Sequence, residues 1–378
     1  MLPTRLGNAY EFIAEDGDWC VDTAEDTVYL KYSGNPNDSE IIAGNIEQLM
    51  VFDGTYEKCV HDIVIDGFRF EYASWYRPDS DLGFVAVQAS LSYEENDAGG
   101  LDMIKTFGTV DAKNSYGLEF VNNTFCHLGG SALDLDIGCR EILVQGNNFY
   151  DLSNNAIMVG NMMAVDAHPN RDDMRRRVYN IRILNNHMTD NGADYPGAVT
   201  LLVGHATDIE IAYNEIHHVP YTGISLGWGW GGHDTDPNDP TIDGGHYVHH
   251  DHIHNIMQKM YDGGAVYTLG SQPGTRVEYN VFHDQYHDYG TMYWDDGSRG
   301  ISMTHNCVYD SLRNVIMKGA KNVSRDNYFE RVDNMMFGLY DDTNILEPNT
   351  HVTDMNFPLE LLNGAGLRPE FYHLQPKY

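Results

Sequence analysis

One short pattern recurs through the middle of the chain: apolar, any, apolar, two of any, Asn, any, apolar. It reads Leu118-x-Phe120-x-x-Asn123-x-Phe125, then Ile142-x-Val144-x-x-Asn147-x-Phe149. Ile181-x-Ile183-x-x-Asn186-x-Met188 and Ile209-x-Ile211-x-x-Asn214-x-Ile216 follow. Looser copies centre on Asp251, Asn280, Asn306 and Asn327, so successive intervals are 24, 39, 28, 37, 29, 26 and 21 residues. Apolar positions alternate with period two, which is the signature of strands and not of helices. A unit this short cannot bury its own apolar face, whereas stacked units cover one another. Asn suits the turn of such a unit, because it tolerates left-handed backbone and its amide can bond the Asn of the next unit. The pattern therefore predicts an all-β chain wound as a parallel β-helix. Propeller units of about 40–45 residues are too long for it, and leucine-rich repeats need a leucine framework that is absent.

A second strand precedes each Asn segment: Ala132–Ile137, Ala156–Gly160, Ala198–Val203, Gly223–Trp228, Ala265–Gly270 and Thr291–Asp296. Alternation sends Leu133, Ile157, Val199, Ile224, Val266 and Met292 inward. Asp134, Met158, Thr200, Ser225, Tyr267 and Tyr293 then form an outward column, expected as a ladder on an open face. The two long intervals mark loop insertions at Asn161–Val178 and Gly231–Gly245. Residues 1–60, with a hairpin near Trp19–Val21 and Val28–Tyr32, are read as an N-terminal cap and lead-in. Residues 61–340 are read as the solenoid, and residues 341–378 as a closing segment with a short helix near Leu359–Leu362.

Charge narrows the partners. Acidic residues number 56 against 23 basic, a net charge of −33. Such a chain repels phosphate backbones, anionic membrane surfaces and polyuronate sugars, so neither nucleic acid nor membrane is an expected partner. Hydrophobic residues make up 42% of the chain, enough for a sizeable core. The five scattered cysteines read as small buried hydrophobes. The chain start lacks a signal-peptide pattern. A secreted or cell-surface bacterial location is expected, with the signal already removed.

Candidate chemistry lies between residues 221 and 296. Tyr221, Trp228 and Trp230 flank a Gly-rich strand and suit stacking on pyranose rings, and Tyr267, Tyr293 and Trp294 extend the set. Asp262 and Asp288 each stand two residues before the glycine that opens a strand. Neighbouring units would bring them to about 5 Å, the spacing of a retaining glycosidase pair. Asp295 and Asp296 end the next strand, and crowding of carboxylates raises one pKa towards that of a general acid. His250, His252 and His254 share a strand and offer metal-binding geometry, although polar ladders are common on such strands. Asp234-x-Asp236-x-Asn238 matches the start of a calcium loop without its Gly or terminal Glu. No cofactor is required by this chemistry, and the Asp234-x-Asp236-x-Asn238 spacing would suit calcium.

The stretches PYTGISLGWGW, HIHNIMQKMYDGGAVYTLGSQPGT, NVFHD and HDYGTMYWDDGS resemble the right-handed parallel β-helix proteins among the glycoside hydrolases. Those families hold β-xylosidases and enzymes with xylanase or α-L-fucosidase activity. GDWCVDTAEDTVYLKY resembles their lead-in and GLRPEFYHL their closing segment. The resemblance implies a right-handed solenoid and a catalytic carboxylate pair, Asp262 with Asp295 or Asp296. It implies a neutral plant cell-wall polysaccharide or oligosaccharide of xylan type as the partner. The family's long N-terminal region has no counterpart in this sequence. Where it offers His and aromatic groups after the WDDGS motif, this chain reads Val315-Ile316-Met317-Lys318. The alternative is therefore a non-catalytic xylan-binding module of the same fold, attached to a separate xylanase domain.

Overall fold

In the computed structural model the residues described are 9–22, 24–95, 99–168, 174–232, 241–331 and 341–375. They form two compact units, residues 1–44 and 45–378. In the first, Trp19–Asp22 pairs antiparallel with Thr27–Leu30. The second contains three parallel sheets of nine, eleven and ten strands, and a small antiparallel ribbon of Ser92–Glu95 with Leu101–Ile104. Successive strands of the chain fall in successive sheets, so each sheet gains one strand per repeat. Ser131–Leu135, Ile157–Val159, Leu201–Val203, Ile224–Leu226, Val266–Thr268, Met292–Trp294 and Val315–Met317 are neighbours in the first sheet.

These findings correct the expected right-handed β-helical solenoid with an N-terminal cap. What is observed is a stack of parallel sheets with two antiparallel ribbons and few helical turns. Residues 1–44 are a unit of their own, whose strands pair only with each other. Period-two alternation reports strands and parallel stacking; it carries no information about hand or closure. Among the described residues, no helix is long and apolar enough to cross a membrane.

Side chains from all three sheets meet in one continuous core, which includes Leu133, Val144, Phe149, Ile183, Val266 and Phe282. Between the second and third sheets runs the asparagine ladder. Asn123, Asn147, Asn186 and Asn214 each donate Nδ2 to the next amide or carboxyl oxygen at 2.9–3.0 Å. Each also donates to a main-chain carbonyl of the preceding repeat, at Ile65, Phe120, Val144 and Ile183. The main-chain N–H of each donates to the same onward oxygen, as from Asn147 to Asn186 Oδ1 at 3.0 Å. The ladder continues from Asn280 through Asn306 and Asn327 to Asn349. Apart from the last, Asn349, these asparagines are almost wholly buried, so each unmade bond would leave a desolvated polar group and cost about 1–3 kcal/mol.

One rung differs. Asp251 is fully buried and accepts from both the main-chain N–H and the side-chain amide of Asn214, at 2.7 and 2.9 Å. Its second oxygen has no partner. Burial pushes its carboxyl up to about 8, while the two Asn214 bonds hold it down less strongly. The folded protein thus keeps Asp251 protonated where the unfolded chain ionises it, so folding takes up a proton. Below the ordinary carboxylate pKa both states are protonated and no penalty exists. Between that pH and about 8, stability falls as pH rises. Asp251→Asn supplies the missing donor without a charge. Denaturant titration should find it more stable than wild type by roughly 1–4 kcal/mol at pH 7, with little difference near pH 4. An unchanged pH dependence in that variant would refute the role.

Candidate functional site

The first sheet positions the site. Register places Asp134, Met158, Leu202, Ser225, Tyr267, Tyr293 and Ile316 in one column on the side away from the core. Leu202 replaces the expected Thr200, because the strand begins at Leu201. The column is not an open ladder: Asp134, Met158, Leu202, Tyr267 and Tyr293 are all buried. Residues 84–91 and 105–106 lie across it. Ser90 N–H donates to the Gly197 carbonyl at 3.1 Å, and Asn155 Nδ2 donates to the Ala89 carbonyl at 3.2 Å. Thr106 bonds Ser131 at 2.9 Å. Buried Lys105 donates to Asp134 at 2.7 Å and to the Gly160 carbonyl at 2.6 Å. Nothing in the repeat pattern signals this cover, since it is inserted before the regular repeats begin.

Towards the end of the column the polar groups converge. Tyr267 Oη donates to Asp295 Oδ2 at 2.5 Å. Tyr293 Oη lies 3.2 Å from Asp295 Oδ1 and 3.0 Å from Asp262 Oδ1. Tyr221 Oη donates to the Asp262 main-chain carbonyl at 2.7 Å, and Gln88 bonds both Tyr221 and Tyr267 from the covering segment. Lys318 Nζ donates to Asp295 Oδ1 at 2.5 Å and lies 3.5 Å from Asp296. Asp295 is 5% exposed, while Asp262 and Asp296 are open to solvent. One hydroxyl touches both Asp262 and Asp295, so the contacted oxygens are no more than about 6 Å apart. That compares with ~5–5.5 Å in retaining glycosidase pairs and ~6.5–9.5 Å in inverting ones.

Electrostatics separate these groups. Desolvation raises the Asp262 carboxyl, the Tyr293 hydroxyl lowers it, and the negative Asp295 nearby raises it again. Lys318 loses some of its affinity for a proton to desolvation, but its bond to Asp295 outweighs this and its pKa is raised. Tyr267 and Tyr293 are raised, first by burial and then by the Asp295 charge, so both remain hydroxyl donors.

Around the carboxylates stands an aromatic rim. Trp228 is buried and packs edge-on against Trp230 at 4.7 Å, leaving Trp230 39% exposed. Gly231 and Gly297 approach so closely that a Cβ on Gly297 would meet the Gly231 nitrogen at 2.3 Å. This contact joins the Trp230 turn to the turn after Asp296, and both glycines have left-handed backbone. Tyr261 is 63% exposed and its ring lies 6.1 Å from that of Tyr289. Thus the open aromatic surface is Trp230, Tyr261 and Tyr289.

The remaining candidates fall elsewhere. Trp294 is buried on the core side, where Nε1 donates to the Ile301 carbonyl at 3.3 Å. Alternation with outward-facing Tyr293 requires this. Asp288 is exposed and paired with Arg313, away from the Asp262–Asp295 bridge. Asp234, Asp236 and Asn238 lie outside the described residues. Lys318, Gln88, Tyr261 and Tyr289 are the residues that sequence reasoning missed. Only Lys318 had a signal, as the single cation following the WDDGS strand by one repeat.

No family model and no curated protein matches the sequence. A solved glycoside hydrolase structure superposes with a TM-score of 0.79 at 26% identity. The superposition covers 97% of this chain and 61% of that one. The fold of this chain is therefore glycoside hydrolase-like, and the chain spans about three-fifths of that protein's length.

Lys318 lowers the Asp262 carboxyl through space. Lys318→Met should consequently raise the pH at which Asp262 ionises in a carboxyl NMR titration. No upward movement would show that the ammonium does not act on Asp262.

Proposed function

We propose that this pocket binds a neutral plant cell-wall glycan of xylan type and hydrolyses its glycosidic bond with retention. The observation that carries the reading is the Asp262–Tyr293–Asp295 bridge beneath the exposed rings of Trp230 and Tyr261. The superposed glycoside hydrolase supports a carbohydrate-active role in general. The net charge of −33 argues for an uncharged sugar.

In this reading Asp262, with its raised carboxyl, is the general acid. It protonates the glycosidic oxygen as the bond to the anomeric carbon breaks. Asp295, held by Tyr267, Tyr293 and Lys318, attacks that carbon from the opposite face and forms a glycosyl ester. Ionised Asp262 then takes a proton from water, whose oxygen displaces Asp295. Both carboxylates return to their starting states. Asp296, exposed beside Lys318, contributes charge at the rim. Binding is confined to the mouth of the pocket, because residues 84–91 and 105–106 cover the rest of the column.

One observation favours the second reading, a non-catalytic sugar-binding module attached to a separate hydrolase. Asp295 is 5% exposed and its oxygens already accept three donors. The two readings separate in one experiment with nitrophenyl xyloside, xylo-oligosaccharides and insoluble xylan. The hydrolase predicts sugar release that falls by about 10²–10⁴-fold in Asp262→Asn with the fold intact. Trp230→Ala should weaken binding by about 1 kcal/mol, near fivefold, under either reading. Binding without release identifies the module. Failure of every neutral glycan to bind removes both.

A further inference from the structure

The third sheet carries a second constellation that takes no part in the sugar site. On its side away from the core, strands Glu215–His217, His252–His254 and Val281–Gln285 are neighbours. Glu215 is in register with His252, and His254 with His283. One ligand atom from each of His252, His254 and His283 lies within 4.8 Å of the others.

The hydrogen bonds of these rings determine where their lone pairs point. His252 Nδ1 lies 2.9 Å from Glu215 Oε1, and His283 Nδ1 lies 2.6 Å from Asp284 Oδ2. His254 Nδ1 lies 2.7 Å from Asn255 Oδ1. Each partner is an acceptor, so each Nδ1 carries hydrogen and the neutral ring presents a bare Nε2. Yet the Nε2 atoms of His252 and His283 are 2.8 Å apart, and His254 Nε2 is 3.0 Å from Glu215 Oε1. The His252 and His283 lone pairs repel at this distance unless a cation or a shared proton lies between them, and His254 reaches Glu215 either as a proton donor or, with that proton lost, across a shared cation.

We propose that His252, His254 and His283 bind a divalent first-row transition metal ion through Nε2, with Glu215 as the carboxylate partner. Three imidazoles form a donor set suited to Zn²⁺, whose nitrogen ligands lie at about 2.0–2.1 Å, with Glu215 beside them as the carboxylate that accepts from His252. Each imidazole has its Nδ1 held by an oxygen acceptor, the arrangement that orients metal-ligating histidines. Tyr309 stacks on His283 at 4.5 Å and 11°, fixing that ring further. Access remains on one side, with side-chain exposures of 27% and 16% at His252 and His254. Gly366 crosses beside the cluster with φ of +84°, and a Cβ there would lie 2.8 Å from Glu215 Oε2. The ion would clamp three successive repeats, and its role would be structural.

The test uses the full chain, freed of metal with a chelator and titrated calorimetrically with Zn²⁺ alone at pH 7. The expected result is one saturable equivalent with micromolar or tighter affinity. His254→Gln and Glu215→Gln should each weaken it by about 10–100-fold while melting like wild type in chelator. Co²⁺ added to the wild type should give the intense visible absorption of a four-coordinate nitrogen-rich site, a readout independent of any variant's folding. Overturning results are weak, unsaturable uptake by surface acids, affinity unchanged in both variants, or a pale six-coordinate Co²⁺ spectrum. The first of these would mean that the rings share protons instead of a metal.

Discussion

The buried asparagine ladder sets everything else in register. Each amide spans two repeats, donating backwards to a main-chain carbonyl and onwards to the next side chain. Slipping a strand by one residue would break both bonds and turn every core side chain to the opposite face. Because every rung but the one at Asp251 is built alike, the loops between strands can vary in length without disturbing the sheets. The long Asn147–Asn186 and Asn214–Asp251 intervals still close with bonds of 2.9 Å.

That fixed register is what assembles the site from distant parts of the chain. Tyr267 and Tyr293 are paired residues of adjacent strands, with rings in edge contact at 5.0 Å. Asp295 and Lys318 follow from the ends of the same strand and the next one. The covering segment then removes water from most of the column and leaves polar groups accessible only near Asp262 and Asp296. Buried hydroxyls and a buried carboxylate interact more strongly there than they would on an open ladder. The same stacking on the third sheet brings Glu215, His252, His254 and His283 together from three repeats.

The repeat was legible because Asn at a fixed turn position has a chemical job that other residues do poorly, and because apolar alternation is periodic. Asp295, Tyr267 and Tyr293 were legible for the same reason, since alternation assigns each a side, whereas Asp262 was legible from its place two residues before the glycine that opens a strand. Thr200 was misplaced because a small polar residue before Leu201 looks like the start of the strand. Trp294 was chosen for its ring, although the alternation that turns Tyr293 outward turns Trp294 into the core. Gln88 and Lys105 could not be found this way: they act across the sheet from a segment without period. The hand and closure of the fold, and the independence of residues 1–44, depend on contacts that no local pattern encodes.

A covalent glycosyl ester on Asp295 is the most specific consequence of hydrolysis with retention. The protein should be incubated with an activated 2-deoxy-2-fluoro-xyloside, which slows hydrolysis of a glycosyl ester, and then digested and analysed by peptide mass spectrometry. One fluoro-sugar adduct is expected on the peptide containing Asp295, absent after the Asp295→Asn change. An adduct on another carboxylate, or continued hydrolysis of xylosides without any adduct, would contradict Asp295 as the nucleophile.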